Sequence, residues 1–150
     1  MKIAIASDHG GFALKQNVIM YLEAEGHEVS DLGCYSEESV DYPQFGRSCA
    51  QAVARHNADR GIVICGSGIG ISIAANKVKG VRCAHCHDVF SAKMTRLHND
   101  ANIIAMGERV IGPGLMLEIV DAFLNTDFSG DERHVRRVNK IKALEEKNFK

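Results

Sequence analysis

The segment "GIVICGSGIGISIAAN" (61–76) restricts the possible folds more than any other. Its first five residues form a continuous apolar run of strand length, without polar–apolar alternation. A strand of that kind is expected to be buried on both faces. Glycines 66, 68 and 70 follow at once, and a helix over "ISIAANKV" (71–78) comes next. A strand, a tight turn and a helix start describe half of a βαβ unit.

The same alternation runs along the chain. Strands are expected over 2–7, 27–33, 81–85 and 102–107. The spacing of Leu14, Val18, Tyr21 and Leu22 predicts a helix over 12–26, closed by Gly26. Pro43 suits the first turn of a helix over 43–57. Asp88 suits the N-cap of a helix over 88–100. Two more helices are expected over 112–126 and 131–149. The result is an α/β fold with a mostly parallel sheet, helices on both faces, and a single domain over 1–150. In the last helix Val135, Val138, Ile141 and Leu144 recur every three residues, a thin apolar stripe suited to docking on its own domain or on another subunit.

Composition narrows the class. The formal charge of −1 gives no global field for nucleic acid. No apolar run reaches the roughly 20 residues needed to cross a bilayer. The start "MKIAIASDHGG" lacks a signal-peptide pattern, so a cytoplasmic address and no membrane partner are expected. The five cysteines, an odd number, argue against a disulfide framework and for reduced, buried thiols.

Ligands of open α/β sheets sit at the carboxyl ends of strands. That puts Ser7-Asp8-His9-Gly10-Gly11, Cys65-Gly66-Ser67-Gly68 and the region from Met106 to Arg109 on one rim. The spacing of glycines 66, 68 and 70 fits neither a dinucleotide fingerprint nor a P-loop. What remains is a concavity of backbone N–H groups that favours negative charge. A thiol at its mouth has amides that favour a thiolate, although a packed structural cysteine explains this stretch alone equally well. Asp8 can be a simple N-cap, and His98 a partner for a helix C-terminus. Arg133 and Arg137 share one helical face, either to grip a phosphate or as solvated charge. "CAHCH" (83–87) matches a haem-attachment or redox pattern, but it reads best as a strand with Cys83 and Cys86 on opposite faces.

Taken in order, "SDHGGFALK", "VDYP", "GIVICGSGIGISIAANKV", "CHDVFSAKMTRLHNDANI", "GERVIG" and the late Arg-x-x-x-Arg resemble ribose-5-phosphate isomerase type B. That family lies within the sugar-phosphate isomerases that include galactose-6-phosphate isomerase subunits. The resemblance covers nearly the whole chain. It implies a Rossmann-like three-layer sandwich with a five-stranded parallel sheet and an extra C-terminal helix. It implies a homodimer or homotetramer with active sites shared between subunits, a sugar-phosphate substrate, and no metal or organic cofactor. By resemblance Cys65 is the base that moves a proton between C1 and C2. Another branch uses a Glu at the position held here by Ile71, which cannot accept a proton. Ser67 and the amides of Gly66, Gly68, Ile69 and Gly70 match the anion hole. His98 matches the ring-opening group, with Asp8 as its polar counterpart. Asn99 and Tyr42 match sugar contacts. His9, Arg109, Arg133 and Arg137 match phosphate ligands, with Arg109, His98 and Asn99 reaching a pocket whose Cys65 belongs to a neighbouring chain. The activity implied is interconversion of ribose 5-phosphate and ribulose 5-phosphate. Alternatives are a six-carbon sugar phosphate, a non-catalytic sugar-phosphate sensor, and a metal or haem module on "CAHCH".

Overall fold

In the computed structural model, which describes residues 1–149, the run Gly61–Cys65 is buried on both faces, as its composition demands. It forms most of the strand Arg60–Cys65. Ile62 and Ile64 enter one apolar layer, and Val63 and Cys65 enter the other. In chain order the strands are β1 (Lys2–Ser7), β2 (Glu28–Asp31), β3 (Arg60–Cys65), β4 (Cys83–His85) and β5 (Ile103–Gly107). They form one parallel sheet in the order β2-β1-β3-β5-β4. Ile5 stands beside Ile62, and Ile62 beside Ile104, so side chains of one face line up across the sheet.

The helices are α1 (Phe12–Ala24), α2 (Tyr42–Ala54), α3 (Ile69–Ala75), α4 (Val89–Asn99), α5 (Pro113–Leu124) and α6 (Glu132–Asn148). Apolar residues of α1, α4 and α5 pack with Ile3 and Ile5 on one face. Those of α2 and α3 pack with Ala4 and Ala6 on the other. The small β1 residues let α2 come close: the Cys49 thiol lies 3.5 Å from the Ala4 carbonyl oxygen. From β1 the chain crosses to β2 on one side; from β3 it crosses to β4 on the other. The carboxyl ends of β1 and β3 therefore border the crevice where the strand order reverses, the usual ligand position in such sheets.

Several boundaries differ from the sequence expectation. The third helix begins two residues early, at Ile69, because Gly68 takes φ 78° and completes the turn itself. β4 begins at Cys83 and not Val81, because the Arg82 N–H donates to the Asn102 side chain at 2.8 Å. The α6 stripe is not a single face. A step of three residues advances about 300°, so the apolar positions drift roughly 60° per step around the helix. Val138 is buried, whereas Val135, Ile141 and Leu144 remain exposed. Lys15 sits at an unexpected place, fully buried, with its ammonium 2.6 Å from Asp31 and 2.5 Å from the Cys34 carbonyl oxygen.

The step from β1 into α1 is the tightest point near the crevice. Asp8 caps a 3-10 turn over His9–Gly11 and accepts from the Gly11 N–H at 3.2 Å. Gly11 then lies against the backbone of β3: a Cβ there would be 2.6 Å from the Ile64 carbonyl oxygen. Neither partner can yield, since one is the central strand and the other the entrance to a packed helix. Gly11→Ala is expected to lower stability by about 1–3 kcal/mol, measured as a shift in the urea unfolding midpoint at unchanged slope.

Candidate active site

Two clefts gather the polar residues of the carboxyl-end rim and of α6. The first, about 570 Å³, lies at the crevice between β1 and β3 and falls within the usual range for small-ligand sites. Its chemistry comes from Asp8 after β1, Tyr42 at the start of α2, Cys65 and Ser67 around the glycine turn, and Arg109 after β5.

The turn is organised around sulfur. The Gly68 N–H donates to the Cys65 thiol at 3.0 Å. Such a bond rewards negative charge on sulfur. The positive φ of Gly68 is what aims that amide inward, and a residue with a Cβ would be strained there. The Ile69 N–H donates to the Ser67 hydroxyl at 3.3 Å. Among the described residues the amides of Gly66 and Ser67 have no hydrogen-bond partner. The expected anion hole is thus divided: one amide serves the thiol, and others remain for a ligand.

Arg109 is fixed on the same cleft. Its N–H donates to the Gly66 carbonyl at 3.0 Å, and its guanidinium lies against the Gly66 backbone. This corrects the expectation that Arg109 groups with His98 and Asn99; the short β5–α5 connection keeps it beside Cys65 of its own chain. Tyr42 packs its ring against Gly70. His9 accepts the Val40 N–H on Nδ1 at 3.1 Å, which leaves Nε2 for other partners.

The second cleft holds His98, Asn99, Arg133, His134 and Arg137, and shares no lining residue with the first. Within one chain His98 is therefore not paired with Asp8. His98, Asn99, Arg133 and Arg137 are all exposed, and among the described residues neither arginine forms an ion pair. Two unneutralised guanidiniums on one helical face suit a phosphate.

Sequence reasoning missed His134. It is buried, with its ring centroid 4.5 Å from that of His98. Its only sequence signal is the neighbourhood Arg133-His134-x-x-Arg137, which places it one turn before Val138 on the packed side of α6. A guanidinium can only donate, so the Arg133 Nε–H at 3.4 Å requires a bare Nε2 on His134, and Nδ1 donates to the Ser129 hydroxyl at 2.6 Å. Burial, then the neighbouring His98 and Arg133, hold its pKa below the ordinary histidine value; Asp131 opposes them.

The other cysteines are packing groups. Burial pushes the Cys49 thiol up to about 12 and the Cys86 thiol up to about 11, and Cys83 is raised as well. Cys83 packs toward the α2–α3 layer and Cys86 joins the opposite core, the two-faced arrangement expected of a strand. No three His, Cys, Asp or Glu side chains converge on a metal position among the described residues. No helix among them is long and apolar enough to cross a membrane.

The ribose/galactose isomerase family model matches residues 3–141. Ribose-5-phosphate isomerase B of Escherichia coli is 47% identical over 146 residues, covering 97% of each chain. Galactose-6-phosphate isomerase subunit LacB of Clostridium acetobutylicum is 39% identical over 144 residues, covering 96% of this chain and 83% of the subunit. Among solved structures, ribose-5-phosphate isomerase B of Clostridium thermocellum superposes with a TM-score of 0.96 at 55% identity, covering 98% of this chain and 99% of that one.

The lowered pKa of His134 has a consequence for folding. Below about pH 6.5 the unfolded chain takes up this proton while the folded one resists it, so stability falls as pH drops toward 5. His87 is shifted in the same direction and adds to the slope. His134→Gln is expected to flatten, without abolishing, the decline of the urea midpoint between about pH 7 and 5.

Proposed function

The chain belongs to the ribose/galactose isomerase family, and from that premise we propose that it interconverts ribose 5-phosphate and ribulose 5-phosphate, with Cys65 as the base. Aldose–ketose isomerisation removes a proton next to a carbonyl. It needs a base, and donors placed where charge develops on oxygen. The observation that carries the reading is the Cys65 thiol, held by the Gly68 amide in a cleft that also contains unpartnered amides and Arg109.

The roles follow from the groups present. His98 moves the protons that open the furanose ring. Cys65, as the thiolate, takes the proton from C2 and returns it to C1 while the O2 proton passes to O1, so the thiolate is regenerated. The Gly66 and Ser67 amides face the enediolate oxygen, with the Ser67 hydroxyl beside them, and Asn99 and Tyr42 contact the sugar. Asp8 serves as the polar counterpart of His98 across the composite site. Arg109, Arg133, Arg137 and His9 hold the phosphate, whose binding energy positions the reacting carbons. All of these steps use the chain's own groups.

The reading includes a homodimer or larger assembly in which the first cleft of one chain meets the second cleft of another. Its support is the separation of the two clefts within one chain, and the exposure of His98, Arg133 and Arg137. A second reading, a six-carbon sugar phosphate as substrate, draws on the likeness to the galactose-6-phosphate isomerase subunit. The kcat/KM values for five- and six-carbon aldose phosphates decide between them.

Cys65→Ser is expected to lower kcat on ribose 5-phosphate at least a hundredfold, roughly the worth of a general base, with KM changed only a few-fold. A hydroxyl is far less acidic than a thiol and is a poor base at neutral pH. Near-normal turnover would eliminate Cys65 from this role.

Subunit mixing tests the composite site. Cys65→Ser and His98→Asn chains are each expected to be nearly inactive. Random pairing puts both lesions in one site of each mixed dimer and leaves the other intact, so about a quarter of all sites recover. No recovery, with mixed dimers shown to form by mass spectrometry, would mean that each site is built within one chain.

A further inference from the structure

The two histidines of "CAHCH" flank the buried Cys86 and lie at the rim, beside the glycine turn. The Nε2 of His85 is 2.9 Å from the Ser67 carbonyl oxygen. A carbonyl can only accept, so Nε2 carries a hydrogen and donates. The other end of that same peptide unit is the Gly68 N–H, which donates to the Cys65 thiol at 3.0 Å. In a trans peptide the C=O and N–H point in opposite directions. A donor on the oxygen from the β4 side therefore aims the hydrogen at sulfur on the other.

This peptide has a competing orientation. Gly68 has φ 78° and ψ −10°, the values of the third residue of a type II turn. The commoner type I turn differs mainly by turning the central peptide over. Applied here, that would direct a carbonyl oxygen toward the sulfur in place of the N–H, which would oppose charge on the thiolate. His85 also packs closely on this turn. Its ring packs on Gly68, where an added Cβ would lie 2.9 Å from Nε2.

His87 secures the floor beneath the same peptide. Its Nε2 accepts the Gly107 N–H at 3.0 Å, and its ring meets that of His85 edge to face at 4.5 Å. Gly107 in turn packs on Ser67, so closely that a Cβ there would lie 2.6 Å from the Ser67 carbonyl oxygen.

We propose that His85 is a positioning residue: by donating to the Ser67 carbonyl it holds the Ser67–Gly68 peptide with its N–H toward Cys65. This rests on the isomerase reading and on Cys65 as the base. It assigns His85 no contact with substrate, since its effect passes through one peptide unit. A hydrogen bond to the carbonyl also polarises that peptide and strengthens its N–H as a donor.

The test uses the full chain and ribose 5-phosphate. His85→Leu keeps the bulk of the side chain but removes the donor, and kcat is expected to fall about tenfold, the effect of roughly one hydrogen bond, with KM within twofold. In His85→Gln the side-chain amide donates from nearly the same place, and kcat is expected to recover to within about threefold of the unaltered chain. Circular dichroism and the urea midpoint establish that both variants are folded; His85 is exposed, so neither substitution disturbs the core. Unchanged kcat in His85→Leu would overturn the proposal, as would a loss carried by KM, or a His85→Gln variant as slow as His85→Leu. An unaltered chain that turns over no sugar phosphate would instead remove the isomerase reading, and this inference with it.

Discussion

The structure depends on β3 being buried on both faces between two parallel neighbours. Its alternate residues supply both apolar layers, and its backbone pairs with β1 and β5. A strand in that position has no free edge and no solvent face, which is why its sequence is an unbroken apolar run. It also supplies the rigid point at which the chain must leave the sheet. Cys65 is the last residue of that strand. The thiol is therefore anchored by a strand buried from Gly61 to Cys65, while the groups around it come from loops.

Those loops are tied down by contacts between residues distant in sequence. The first turn of α1 has no acidic residue of its own. The Leu14 N–H instead donates to Glu108 at 2.6 Å, ninety-four residues away, and so links the entrance of α1 to the loop that carries Arg109. Buried Lys15 joins Asp31 at the end of β2 to the Cys34 carbonyl, and lies over the rings of Phe12 and Tyr35. A buried ammonium is costly unless its donors are satisfied. Here satisfying them orders the segment after β2, which leads to Val40, the partner of His9. The rim is in this way a set of loops fixed by a few charged side chains that the core itself does not require.

The two clefts differ in the way such a division of roles would require. The first combines a nucleophilic atom with backbone donors, suited to proton transfer near developing charge. The second is cationic, suited to a phosphate. The buried His134 beneath His98 gives the second cleft a firm base, since its two nitrogens are both in use. Arg109 adds a cation to the first cleft, so a phosphate placed between two chains would meet charge from both sides.

Much of this was legible in the residues. Hydrophobic periodicity and the glycine and proline boundaries marked all five strands and all six helices, because burial dictates residue type at each position. The cluster at the rim followed from topology, since parallel strands bring their carboxyl ends together whatever the loops contain. The family resemblance implied roles that spacing alone left open, including those proposed for Cys65 and His98. Tertiary structure decided what depends on side-chain direction and on contacts across the sheet. The α6 stripe looked continuous at intervals of three, yet the pitch of the helix spreads it around the axis and buries His134 and Val138 instead. Arg109 and His98 both follow short polar motifs, yet they fall in different clefts, because one follows β5 at the crevice and the other ends α4 beneath α6. Nor could any local pattern place His85 on the peptide whose other end serves Cys65. That contact joins residues 18 positions apart, and it exists only because β4 lies at the edge of the sheet beside β5. Sequence determines which residues must be buried and which segments must be regular; the packing of those segments determines which polar groups meet.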